Sequence, residues 1–261
     1  MLSSFVICCN YNEERTGSLA NCLASVRQNK LGDTYFAVAD NGSKDGSAEL
    51  LKANYQNGTI NLLLLSRKNL GKPKILNMLL AEIVKREAIA PDDLIMSLDS
   101  DITLGGNGEF FSHAQALCTA ARGNFSAMSV QLSDYNIHWV DFSKLTPVDF
   151  NGDKVYFWQN SDGVAGPVII TPYSTWSAIH GYRENCGKNG ASSIYSADDC
   201  MLFRDAYAHT GGKPIMISSK LISRHPETKD KAYQAWKDET NRLLNMGFGN
   251  SMLPEKGFYD D

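Results

Sequence analysis

This 261-residue chain lacks several features that would have fixed its class at once. Its six cysteines, Cys8, Cys9, Cys22, Cys118, Cys186 and Cys200, form no C-x-x-C pair and no zinc-ribbon spacing. A disulfide scaffold and a thiolate zinc site are thereby excluded as the basis of the fold, and buried free thiols in a reducing cytoplasm are expected. No apolar run approaches the roughly 20 residues that a membrane-spanning helix needs. The apolar opening Phe5 to Cys9 is short, has no basic segment before it, and runs straight into Asn10-Tyr-Asn-Glu-Glu-Arg15, so no secretory leader is expected. Positive charge is not in excess either: 25 basic against 29 acidic residues give a net −4. No overall field therefore draws the chain toward nucleic-acid phosphate or an anionic membrane, although a local basic groove stays compatible with it. Neither G-x-x-x-x-G-K-[ST] nor a G-x-G-x-x-G after the first strand occurs, which removes two familiar glycine-rich phosphate loops.

What is present is a core-forming composition, 43% hydrophobic and 21% charged, with a regular alternation of strands and helices. Leu2 to Cys9 reads as a buried strand, and Leu19, Cys22, Leu23 and Val26 then fall at the spacing of a helical stripe. Tyr35 to Ala39, Ile60 to Leu65 and Leu94 to Leu98 read as further strands, with helices near Ser47 to Tyr55 and from Pro73, whose apolar face is Ile75, Met78, Leu79 and Ile83. In the second half a helix is expected over Phe110 to Arg122 and a strand over Phe125 to Leu132. A strand over Val164 to Thr171, a helix over Asp198 to His209, a strand over Pro214 to Ser218 and a helix over Lys229 to Leu244 follow. Asp134 to Gly163 is polar and irregular, five acids against two lysines, and is expected to close over a ligand. The pattern predicts an α/β fold: a mainly parallel central sheet, Rossmann-like, with helices on both faces, in one compact domain.

Ligands of such sheets bind beyond the carboxyl ends of the strands. The clusters Asn10 to Glu13, Asp40 to Ser43, Ser66 to Lys72 and Asp99 to Asp101 all follow strand ends. Asp99-Ser-Asp101 pairs two carboxylates that can hold Mg²⁺ or Mn²⁺ against a diphosphate, or can be solvated loop acids. Asp40-Asn-Gly-Ser-Lys-Asp-Gly46 reads as a βα turn or as a turn whose Asp40 accepts a nucleobase N–H. Asn69-Leu-Gly-Lys72 places a lysine beside a glycine that admits close backbone approach, suiting a nucleotide phosphate or an exposed loop before a helix.

Taken in order, Asn10-Tyr-Asn-Glu13, Ala39-Asp-Asn-Gly-Ser-Lys-Asp-Gly-Ser47, Asn69-Leu-Gly-Lys72 with the helix through Asn77, and Asp99-Ser-Asp101 resemble the family 2 glycosyltransferases and their GT-A-fold relatives. The resemblance spans residues 4 to 104. It implies that residues 1–104 are the nucleotide-sugar-binding half, with Asn10, Asn12, Glu13, Asp40, Asn69, Lys72, Asp99 and Ser100 as donor-binding residues. Residues 105–261 become the acceptor-binding and catalytic half. Asn41 departs from the family's pattern, where aspartate is commoner, and is expected to tune binding.

Farther on, Trp176-Ser-Ala-Ile-His-Gly-Tyr-Arg-Glu184 and Ala197-Asp-Asp-Cys-Met-Leu-Phe-Arg204 resemble the family's acceptor segment and the acidic pair that opens a helix. Trp176, His180, Gly181 and Tyr182 then become acceptor-binding residues. Asp199 becomes the general base of an inverting transfer, against the alternative of helix capping by Asp198 and Asp199. His225, in Ser223-Arg-His-Pro226, is either a third metal ligand beside Asp99 and Asp101 or a packed histidine.

The function these implications favour is a cytoplasmic, metal-dependent glycosyltransferase, using Mn²⁺ or Mg²⁺ to move sugar from a nucleoside-diphosphate donor, UDP first, to a hydroxyl acceptor. Retention of configuration and a hydroxylated DNA base as acceptor stay open; Arg204 to Lys231 carries six basic and three acidic residues. A nucleotidyltransferase would be expected to carry a Gly-rich, Arg-containing loop after the first strand, and a non-catalytic binding module would be indifferent to Asp199. The acceptor is a small molecule, a glycan, a protein or a modified nucleic acid.

Overall fold

The computed structural model describes residues 2–30, 32–105, 108–132, 140–160, 164, 166–184, 198–224, 235 and 239. The βα repeat is present as β1 (Ser4–Asn10), α1 (Ser18–Asn29), β2 (Thr34–Asp40), α2 (Ser47–Gln56), β3 (Leu62–Leu65), α3 (Lys72–Arg86) and β4 (Leu94–Asp99). The four strands pair in parallel in the order β3-β2-β1-β4. Parallel neighbours need a crossover, and the helices supply it by lying on the sheet. Pro73 stands in the first turn of α3, where a missing N–H leaves no intrahelical bond unmade.

Alternate strand residues enter two cores. Val6, Cys8, Phe36 and Val38 join Leu19, Cys22, Leu23 and Val26 of α1 on one face. Phe5, Ile7, Ala37 and Ala39 join Ile75, Leu76, Leu79 and Ile83 of α3 on the other. Burial on both faces is why these strands read as unbroken apolar runs. Met78 departs from the expected stripe and is 41% exposed. Leu76 and Leu80 are buried instead, which turns the buried face of α3 away from Met78.

The second half adds β5 (Thr103–Leu104), α4 (Phe110–Ala121), β6 (Ala127–Leu132), β7 (Val148–Phe150), β8 (Asp153–Trp158), β9 (Val168–Pro172), α5 (Tyr173–Ala178), α6 (Asp198–His209) and β10 (Ile215–Arg224). One sheet results, ordered β3-β2-β1-β4-β9-β6-β10-β8-β7, with β5 on β10. Strands β5, β8 and β9 run against the other seven. The sheet is therefore mixed, mostly parallel by strand direction, and its all-parallel part ends at β4. The helix expected over Lys229 to Leu244 lies outside the described residues apart from Ala235 and Glu239, both helical.

The polar stretch expected to close over a ligand contains a hairpin. Strands β7 and β8 are joined by Asn151-Gly152, whose φ values of 51° and 78° are those of a tight hairpin turn. Asp153 then fastens β8 to β10. Its buried carboxylate accepts from Ser218 Oγ (2.6 Å), Ser219 N (2.9 Å) and Lys220 N (3.0 Å), and meets His113 Nε2 at 2.9 Å. Burial pushes this carboxyl up, but the hydrogen bonds outweigh it and hold it below the ordinary carboxylate range. Residues 148–158 are thus sheet rather than lid.

The corrected face of α3 is testable by chemical denaturation. Leu79→Ala is expected to cost about 2–5 kcal/mol, as a fully buried leucine does, whereas Met78→Ala should change stability by less than about 0.5 kcal/mol.

Candidate active site

The turns after β1 and β2 are tied to each other. Asn10 is fully buried and donates Nδ2 to Asp40 Oδ1 (2.9 Å) and Ser43 Oγ (3.1 Å). Ser43 Oγ accepts from Asn12 N (2.9 Å), and Asn12 Oδ1 accepts from Lys44 N (2.7 Å). Asn12 holds a left-handed φ of 57°, which asparagine tolerates better than most residues. Asp40 Oδ2 accepts from Ser43 N (3.0 Å), and the residue is only 2% exposed, so its carboxylate braces the two turns from within. Asn10 Oδ1 is buried without a hydrogen-bond partner. Turning the amide round would set that carbonyl against the Asp40 carboxylate, so the orphan acceptor stays where it is. Glu13, half-buried, uses its backbone carbonyl to accept from Thr16 Oγ1 (2.9 Å) at a single 3-10 turn.

A second tie sets the start of α3. Asn41 Nδ2 donates to Asn69 Oδ1 (2.7 Å), while Asn41 Oδ1 accepts from Leu70 N (2.8 Å) and Asn69 Oδ1 from Gly71 N (2.9 Å). An aspartate at position 41 could not make the first of these bonds. The departure at Asn41 is therefore matched by Asn69, and the pair fixes the backbone that delivers Lys72.

Lys72 stands between two carboxylates. Its Nζ lies 2.7 Å from Asp99 Oδ1 and 2.9 Å from Asp199 Oδ1. Asp99 ends β4 and Asp199 lies in the first turn of α6, so residues far apart in sequence meet at one ammonium. The three side chains are 21–31% exposed, open enough for a ligand to reach. Asp99 N donates to Pro167 O (3.0 Å), and a Cβ on the neighbouring Gly166 would come within 2.3 Å of Asp199 Cβ. One short segment before β9 thus touches both acids. Ser100 is buried, and Asp101, half-buried, leads directly into β5.

Asp199 also has support from below. Tyr182 OH donates to Ser97 Oγ (2.8 Å) and stands 3.5 Å from Asp199 Oδ1, while its ring meets Trp176 edge-on with centroids 5.3 Å apart. Trp176 and Tyr182 are 3% and 2% exposed. Expected as acceptor-binding residues, both are core residues packed beneath Asp199. Gly181 is buried too, since a Cβ there would fall 2.4 Å from Asn77 Oδ1. His180 alone of the four is exposed, with a φ of 61°. The side chain of Asp198 and all of His225 lie outside the described residues.

Asn77 of α3 is a site residue that the sequence reading passed over, except as the end of a motif. Its Oδ1 accepts from Tyr182 N (3.0 Å), and its Nδ2 donates to Tyr182 O (2.8 Å) and Glu184 Oε1 (2.9 Å). A poor helix former inside a helix was the available signal. Gly166 had no comparable signal. Among the described residues no group of three or more His, Cys, Asp or Glu is arranged to hold a metal. Asp99 and Asp101, one residue apart, carry oxygen donors. That donor chemistry fits a hard divalent cation, and the ammonium already held by Asp99 shows that the place favours positive charge.

Residues 5–106 match the family described as Glycosyl transferase family 2. No curated protein matches the chain's sequence. Among solved structures it is similar to S. aureus TarS residues 1–349, 18% identical over 97% of this chain and 67% of that one, TM-score 0.61. TarS has also been solved with UDP-GlcNAc. The mannosyltransferase PcManGT from Pyrobaculum calidifontis, in complex with GDP-Man and Mn²⁺, is 16% identical over 96% of this chain and 65% of that one, TM-score 0.66. GalNAc-T7 with UDP, GalNAc and Mn²⁺ is 13% identical over 88% of this chain and 45% of that one, TM-score 0.62. The solved structures show the GT-A fold, and the family match over residues 5–106 falls on the stretch that carried the sequence resemblance.

The clamp made by Asn77 can be tested apart from any activity. Asn77→Leu keeps the volume but leaves Tyr182 N and O unpaired, and is expected to cost about 1–3 kcal/mol in urea denaturation. Wild-type stability in this variant would mean that the segment 176–184 is held by other contacts.

Proposed function

We propose that this protein is a metal-dependent glycosyltransferase that moves a sugar from a nucleoside-diphosphate donor, UDP-linked, to a hydroxyl acceptor with inversion of configuration. The observation that carries the reading is the pair Asp99 and Asp199, one at the end of the nucleotide-side strand and one at the start of α6, joined through Lys72. An inverting transfer needs that pairing: charge control at the leaving diphosphate and a carboxylate for the attacking hydroxyl's proton on the other side of the anomeric carbon.

On the donor side, the braced turns at Asn10, Asn12, Glu13 and Asp40 receive the base and ribose. Asn69 sets Lys72, whose ammonium finds in the diphosphate a third anionic partner, so that donor entry draws it from between the two carboxylates. Asp99 and Asp101, with His225 as a further ligand, would hold a divalent cation, which would supply charge neutralisation at the departing diphosphate. On the acceptor side, Asp199 takes the hydroxyl proton, with the Tyr182 hydroxyl beside its carboxylate. His180 is the exposed member of the segment that meets the acceptor, while Trp176, Gly181 and Tyr182 shape it from beneath. Residues 1–104 thus serve the donor and residues 105–261 the acceptor, within one sheet. No helix among the described residues is long and apolar enough to cross a membrane, and a hydroxyl acceptor reached from a cytoplasmic face suits the reading.

Donor binding and chemistry separate in one set of measurements. UDP with Mn²⁺ is expected to raise the Tm of the wild type more than UDP alone or GDP with Mn²⁺. Asp199→Asn should keep that shift while UDP release from UDP-sugars falls about 100-fold or more, the usual reach of a general base. Near-normal turnover in Asp199→Asn would remove it as the base, and equal shifts with and without metal would remove the metal.

A further inference from the structure

Asp153 lies outside the site, yet several hydrogen bonds converge on its carboxylate. Ser218 Oγ, Ser219 N, Ser219 Oγ, Lys220 N and His113 Nε2 all lie 2.6–3.0 Å from its carboxylate oxygens. The trio His113, Asp153 and Ser218 is no nucleophile triad, because serine and histidine both point at the same oxygen, Asp153 Oδ2, and the carboxylate is wholly buried.

What the carboxylate fills is an irregularity in β10. That strand pairs with β6 from Ile215 to Ser218 and resumes at Ile222, and the register shifts between. The backbone N–H groups of Ser219 and Lys220 turn to Asp153, and that of Leu221 turns to Ser218 Oγ (2.9 Å). Beyond the shift the strand takes up β5: Ser223 stands opposite Leu104, Arg224 opposite Thr103, and Ile222 O accepts from Gly105 N (2.8 Å). Strand β5 follows Asp101 after one residue and has β10 as its sheet partner. Leu104 N also donates to Ser25 Oγ (3.0 Å), and Ile102 and Leu104 are buried in the core that α1 covers. The downstream end of the Asp99-Ser-Asp101 turn is therefore tied on its sheet side to the part of β10 that Asp153 sets.

We infer that Asp153 is a positioning residue for the carboxylate turn at Asp99 to Asp101: by filling the β10 irregularity it fixes β5, and through β5 the oxygen pair that receives the divalent cation. The inference rests on the metal-assisted reading of the site and goes beyond it, since Asp153 touches neither donor nor metal. A bulge is the usual device for re-aiming a strand beside a site, and a buried carboxylate that takes up the N–H groups it releases makes it rigid.

The test compares Asp153→Asn and the milder Ser218→Ala with wild type, each well below its own Tm. Mn²⁺ uptake in the presence of UDP is followed by electron paramagnetic resonance, and uridine binding without metal by calorimetry. The expected result is an apparent Kd for Mn²⁺ weakened about tenfold in Asp153→Asn and severalfold in Ser218→Ala, with uridine affinity within twofold of wild type. Unchanged Mn²⁺ affinity in a folded variant overturns the inference, as does a parallel loss of Mn²⁺ and uridine binding, which marks general loosening of the sheet. Wild-type protein that takes up no Mn²⁺ with UDP overturns the metal reading itself and this inference with it.

Discussion

One ammonium organises the site. Lys72 cannot satisfy Asp99 and Asp199 together unless the turn after β2, the start of α3, the end of β4 and the start of α6 are all in place. Two partly buried carboxylates at such short range would repel without it, because charge interactions strengthen as water is excluded. The lysine is therefore as much a constraint on the fold as a functional group. The neutral Asn41–Asn69 pair behind it aims the side chain without adding a further charge to the rim.

Around that point the molecule uses two kinds of support. At the turns after β1 and β2 the support is polar: Asn10, Asn12, Asp40 and Ser43 hydrogen-bond to one another and leave the buried Asn10 Oδ1 over. On the α6 side it is largely apolar, with Trp176 and Tyr182 stacked edge to face beneath Asp199. Asn77 joins the two, since it stands on the helix that Lys72 begins and grips the backbone of Tyr182.

The first hundred residues were legible because their information is local. Each strand, turn and helix carries its own periodicity and capping, and parallel βα units gather their strand-end turns on one rim whatever the details. The second half was less so. Aromatic residues beside glycines look alike whether they face a ligand or a core, and Trp176 and Tyr182 proved to be core. The β7–β8 hairpin was hidden inside a polar stretch, although Asn151-Gly152 is a strong short-range hairpin signal. What concealed it was Asp153, an acid that belongs in the interior because partners from α4 and β10 come to meet it. The contact of Lys72 with Asp199 spans 127 residues of sequence, and no periodicity reports such a pair.

The sheet runs unbroken from β3 to β7 and passes from the parallel first half to the mixed second half through the ladder between β4 and β9. Bending the two halves about that seam would break backbone hydrogen bonds between two buried strands. The body of the protein is thus built to behave as one stiff plate when a ligand arrives. Freedom to move is left to side chains and connections beyond the strand ends, where Lys72, Asp99 and Asp199 stand on a fixed rim.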